Sequence, residues 1–145
     1  MMIERAQLSR RLQQFLDLWE RKRVGRLMPT RQDFAFEELR PWLGELHLLE
    51  VLPGDFRFKV FATGTAERVK REFTGRLMSE AEPKELIREA MTAYRHTVES
   101  RTPSFADRSN IEIDGRIFSW HRLVLPLAAD GQAVDHLFVC IDYLL

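Results

Sequence analysis

The chain has 145 residues, 45% hydrophobic and 30% charged, with Lys+Arg and Asp+Glu equal in number and no formal net charge. That length predicts one domain able to bury its own core, and the neutral balance offers no argument for nucleic acid or a membrane surface as a partner. The single cysteine, Cys140 in the apolar run FVCIDY, excludes an internal disulfide or a multi-cysteine metal site and reads as a buried thiol.

Residues 3–23 predict one amphipathic helix. Leu8, Leu12, Phe15, Leu16 and Trp19 recur at three- and four-residue spacing, with Gly25 as a stop. Residues 1–31 hold eight Lys/Arg against three Asp/Glu, clustered at Arg10-Arg11 and Arg21-Lys22-Arg23, which reads as a solvated face. The stripe must cover either the chain's own sheet or a second copy, and its spacing leaves both open. Residues 26–45 form a connector rich in apolar side chains (Phe34, Phe36, Leu39, Trp42, Leu43), with a short helix expected at Phe36 to Leu39, so it should pack and not mark a domain boundary. The expected segments are 1–25 for the helix, 26–45 for the connector and 46–145 for the core.

Strands are expected at Leu46 to Leu52 and Phe56 to Ala62, joined by the turn residues Pro53-Gly54-Asp55. In the second strand Phe56, Phe58, Val60 and Ala62 share one face. Thr65 is expected to cap a short helix from Ala66 to Glu72. Pro83 opens a longer helix reaching Ser100, with Leu86, Ile87, Ala90, Met91, Tyr94 and Val98 as its buried stripe. Three further strands follow, from Ser104 to Ile113, Arg116 to Leu127 and Val134 to Tyr143, with Asp114-Gly115 as a two-residue hairpin turn. The last two strands are apolar on both faces and need cover on both.

Site chemistry is sparse. His47, His96, His121 and His136 pair at neither HxH nor HxxxH spacing, and no phosphate-loop glycine pattern occurs. Phe58, Tyr94 and Trp120 could line a pocket as readily as a core. His121 shares strand parity with Leu123, Leu125 and Leu127 and is placed with Phe58 and Tyr94 in the candidate ligand pocket. No apolar stretch nears the about 20 residues of a membrane span. The N-terminus MMIERAQLSRR lacks the apolar region of a secretory signal, so a cytoplasmic location is expected.

Several pieces in order, Pro29-Thr30-Arg31-Gln32-Asp33-Phe34, Leu43-Gly44, Gly54-Asp55-Phe56-Arg57-Phe58, Gly64-Thr65, Thr74-Gly75-Arg76, Tyr94-Arg95, Arg101-Thr102-Pro103, Arg122 to Leu127, Asp130-Gly131 and Val134-Asp135, resemble the small bacterial PAS-like family known as PAS family 5. The resemblance implies an α+β PAS fold. Its five-stranded antiparallel sheet would run in the order 2-1-5-4-3, with helices on one face and an extra N-terminal amphipathic helix. It implies a non-enzymatic, free-standing sensory or regulatory module acting through homodimerisation and an unknown signalling partner. The dimer or partner surface is then expected at Leu8, Leu12, Phe15, Leu16 and Trp19. No cofactor is expected. His96 lies off the stripe of the long helix, where haem would need it, and Cys140 is on the last strand, where flavin adduct chemistry cannot use it. A small ligand of unidentified chemistry in the cup is allowed. The rival is a small α+β enzyme of the cone-shaped isomerase/dehydratase type. It would need His121 and Asp107 or Asp142 in one cavity.

Overall fold

In the computed structural model, which describes residues 3–144, Ser9 divides the predicted first helix. Arg5–Gln7 make one 3-10 turn, and α1 runs over Arg10–Arg23. The Ser9 hydroxyl accepts from the Leu12 amide, so a good N-cap interrupts a stretch whose apolar spacing alone looks continuous. The segments 1–25 and 46–145 include Met1, Met2 and Leu145, which lie outside the described residues.

The connector is ordered by its aromatic side chains. It holds a 3-10 turn at Arg31–Asp33, α2 at Phe36–Leu39 and a 3-10 stretch at Arg40–Glu45. Phe15 of α1 stacks on Trp42 with ring centroids 4.7 Å apart, and Phe34 meets Phe138 edge-on at 5.1 Å. The Trp42 indole donates to the Arg11 carbonyl at 2.9 Å.

The strands are β1 (Leu46–Leu52), β2 (Asp55–Val60), β3 (Ser104–Ile113), β4 (Arg116–Leu127) and β5 (His136–Leu144). They form one antiparallel sheet in the order β2-β1-β5-β4-β3, as the resemblance implies. Between β2 and β3 lie α3 (Thr63–Val69) and α4 (Lys84–Ser100). The β3–β4 turn puts Asp114 and Gly115 at φ 52° and 81°, the pair of positive angles that matches the twist of the flanking strands.

Three local expectations change. First, Val60 does not share the face of Phe56 and Phe58. Leu49 pairs with Phe58 and Leu48 with Val60, so one extra residue bulges there. The bulge leaves Val60 46% exposed and buries Phe61. Second, Thr65 lies inside α3 and caps nothing; its hydroxyl is 3.1 Å from that of Tyr143. Third, α3 ends at Val69, where Lys70 takes the left-handed conformation. Gly64 is required in α3, because a Cβ there would sit 2.8 Å from the Gly44 carbonyl oxygen.

The helices α3 and α4 cover one face of the sheet, and α1 covers β4 and β5 on the other. Trp19 donates its indole N–H to the Pro126 carbonyl at 2.9 Å. Leu8, Leu12, Phe15, Leu16 and Trp19 are 0–4% exposed within the single chain. The sheet therefore takes up the stripe, and these five side chains are not open to a dimer or partner. The physical reason is the second apolar face of β4 and β5, which would otherwise stand in water.

Candidate functional site

The inner face of the sheet, α3 and the first half of α4 line a partly open cavity of about 100 Å³. Its walls are mostly rings and aliphatic chains: Phe58, Phe61, Phe73, Leu86, Ile87, Tyr94, Trp120, Ile141 and Tyr143. Phe58, Phe61 and Phe73 pack mutually, with centroids 5.0–6.3 Å apart. The β2 bulge makes this cluster by turning Phe61 inward.

Set into these walls is a partly buried ion-pair cluster. Arg122 of β4 is 3% exposed and donates through Nη1 and Nη2 to the two Glu89 carboxylate oxygens, at 3.0 and 2.7 Å. Arg108 of β3 also pairs with Glu89. Burial works to raise the Glu89 carboxyl pKa, but the hydrogen bond from Arg122 and the charges of Arg122 and Arg108 outweigh it and hold it below the usual carboxylate range. The Arg122 guanidinium also lies over the Tyr94 ring, 5.4 Å from its centroid. Desolvation pushes the Tyr94 hydroxyl up to about 12. The cluster fastens the middle of α4 to the sheet, and Arg122 and Glu89 both line the cavity.

His47 lines the cavity from β1. Its Nδ1 accepts from the Ala62 amide at 2.9 Å. A backbone N–H can only donate, so the neutral ring carries its proton on Nε2. Burial pushes the imidazole pKa down to about 3. Above pH 6.5 the ring is neutral in folded and unfolded chains alike and contributes no pH dependence. Below that, the unfolded chain takes up a proton that the folded chain refuses until about pH 3, so acid destabilises the fold. Between pH 6.5 and 5 the loss through His47 is expected to be about 2 kcal/mol. Glu89 adds to acid sensitivity only below its unfolded value of 4.5. Urea unfolding at pH 6.5 and 5.0 measures the His47 contribution, and His47→Gln should flatten it; an unchanged slope would contradict the buried neutral ring.

Phe58 and Tyr94 thus line the cavity, as Trp120 does, but His121 does not. Its Nδ1 accepts from the Ser9 amide at 3.0 Å, on the face of β4 covered by the N-terminal segment. The shared parity with Leu123, Leu125 and Leu127 is real, but that face is the outer one. Asp107 and Asp142 stand opposite His121 on β3 and β5, and none of the three lines this cavity, where the rival enzyme would need His121 with one of the acids. Sequence reasoning missed Arg122, Glu89 and His47. A signal for Arg122 existed: an arginine in a strand apolar on both faces needs an acid from a neighbouring element. Among the described residues no group of three His, Cys, Asp or Glu could hold a metal ion. Burial raises the Cys140 thiol pKa far from the reactive range.

The fold and its cup define the class as PAS-like. A family model described as a PAS domain matches residues 8–141, and the chain belongs to that family. No curated protein matches the chain. Among solved structures, the PAS domain of BvgS from Bordetella pertussis aligns with a TM-score of 0.57 at 15% identity, over 75% of this chain and 85% of that one. A sensory box sensor histidine kinase from Vibrio cholerae aligns with a TM-score of 0.52 at 16% identity, over 75% and 89%. A domain of an HTR-like protein from Haloarcula marismortui gives 0.51 at 14% identity, over 70% and 99%. Likeness at these identities carries the fold alone. No helix among the described residues is long and apolar enough to cross a membrane.

Proposed function

We propose that this chain is a sensory and regulatory module in which a small molecule in the cup biases the packing of α4 and thereby a protein partner. The observation that carries this reading is Arg122, which lines the cavity and holds α4 to the sheet through Glu89. A ligand that moves the guanidinium changes the anchorage of the helix, and only such a differential contact can shift a conformational equilibrium. The partner is a signalling protein or a second copy in a homodimer. Its contact must lie outside the buried α1 stripe; Val24, Leu27, Phe36 and Val60 are apolar side chains left 40–78% exposed near the connector and β2. The reading is of a non-catalytic cytoplasmic protein.

Native mass spectrometry of protein purified from its own host tests both parts together. The expected spectrum shows a dimer carrying a retained small molecule, with the molecule lost in Ala90→Trp, which fills the cup. A bare monomer at tens of micromolar, unchanged by host extract, would sink the reading.

A further inference from the structure

The outer face of β4 carries a histidine with two alternative sets of partners. The Ser9 amide donates to His121 Nδ1 at 3.0 Å and so ties the N-cap residue of α1 to the sheet. A backbone N–H can only donate, so this bond exists only while Nδ1 is bare and the neutral ring holds its proton on Nε2. A second proton would set a donor against a donor. The neighbours of His121 across the sheet are acids: Asp107 is its register partner on β3 and Asp142 its register partner on β5. Directly opposite residues of antiparallel strands share a face, with Cβ atoms about 4.5–5.5 Å apart. The imidazolium would therefore stand between two carboxylates, which favour the charged form. From α1, Arg11 Nη1 lies 3.6 Å from the Asp142 carboxylate, but Arg11 also pairs with Glu45 and is shared between the two acids. From the covering segment come Glu4 and Arg5, and Arg5 pairs with Asp17.

We propose that Asp107, His121 and Asp142 form a pH-sensitive latch on the N-terminal segment. With His121 neutral, the ring holds Ser9 and keeps residues 3–9 on the outer face of the sheet. With His121 protonated, the ring takes the flanking carboxylates as partners and lets that segment go. The latch is closed at the alkaline end and open at the acid end of the range in which histidine ordinarily changes charge, pH 5 to 8. The segment is lightly held. Arg5–Gln7 make a single 3-10 turn with no buried residue, and only Leu8 among residues 3–9 is buried. The Gln13 side chain donates to the Leu8 carbonyl at 2.8 Å. A stretch with so few buried contacts opens at small cost, so one hydrogen bond matters to it. The latch lies outside the cup and does not depend on what the cup binds.

NMR of the full-length ¹⁵N-labelled protein between pH 8 and 5 tests the latch. At pH 8 the His121 ring nitrogens should show the tautomer with its proton on Nε2. As pH falls, the Ser9 amide proton is expected to move upfield with the same midpoint as the ring, and the heteronuclear NOEs of residues 3–9 should fall with it. Exchange of the Ser9 amide, relative to its intrinsic rate, should speed up by about three- to tenfold, the worth of one hydrogen bond. In His121→Asn the side-chain oxygen takes the place of Nδ1 as acceptor and does not titrate, so the Ser9 profile should become flat. That variant keeps His47, so any acid effect through the rest of the fold stays and can be subtracted. Asp142→Asn removes one carboxylate and should move the ring and Ser9 midpoints together to lower pH; it serves if His121→Asn does not fold. A Ser9 amide that stays still while the ring titrates overturns the proposal. So does a ring that remains neutral down to pH 5, or a Ser9 profile unchanged in His121→Asn. Residues 3–9 that keep their NOEs after the Ser9 bond is lost overturn it as well, because the bond would then not be what holds the segment.

Discussion

Replacing Trp19 with alanine is expected to destabilise the monomer by about 4 kcal/mol, the usual cost of truncating a fully buried tryptophan. The side chain is 2% exposed, and its indole N–H donates to Pro126 across the outer face of β4. Truncation opens a void beneath α1 and removes the hydrogen bond, and neighbouring side chains cannot close around it because Phe15 is fixed by its stack on Trp42. For a chain of this size the melting temperature should fall by about 10 °C or more. Val24→Ser, at a side chain 78% exposed, should change stability by less than about 0.5 kcal/mol. Denaturant unfolding and light scattering together are decisive. Were the α1 stripe an intermolecular surface, Trp19→Ala would lower the oligomeric state and leave a monomer of near-normal stability.

The second large effect is at Glu89. Glu89→Gln leaves the Arg122 guanidinium buried without a counter-charge and should cost about 3 kcal/mol, at the low end for a broken buried pair because Glu89 is itself one-third exposed. The reverse truncation is milder. In Arg122→Met, Glu89 keeps Arg108 and its access to water. The double variant Glu89→Leu/Arg122→Met should recover much of the loss of Glu89→Gln, since a buried ion pair replaced by apolar groups of similar volume is often neutral. Urea unfolding of the three variants gives the ordering. A Glu89→Gln cost no larger than that of Arg122→Met would show that the cluster is not the fastening of α4 we describe.

Much of the architecture was legible before any coordinates. The hairpins at Pro53-Gly54 and Asp114-Gly115, the limits of β1, β3 and β4, the short helix at Phe36–Leu39 and the span of α4 come from turn residues and apolar periodicity, which act over a few neighbours. The sheet order came through the resemblance, not through these local signals. Local reading failed where two local signals competed or where a strand had no polar face to orient it. Ser9 outweighed the continuous stripe of the first helix because a satisfied N-cap is worth about 1 kcal/mol. The single-residue bulge in β2 reversed Val60, because the side-chain period is two and one extra residue inverts the face.

The candidate site was less legible than the fold. Phe58, Tyr94 and Trp120 could be named from their places on the expected strands and helix. His121 went to the wrong face because β4 is apolar on both sides, so parity groups residues without saying which side holds the cavity. Arg122 and Glu89 are 33 positions apart, and no local pattern links them. By itself, then, the sequence determined the elements, the turns and the need for cover on both faces of the central strands, since those follow from propensity and hydrophobic period. Tertiary structure alone decided that α1 provides the outer cover and that Arg122 meets Glu89. Those contacts join residues distant along the chain, and packing in three dimensions selects them.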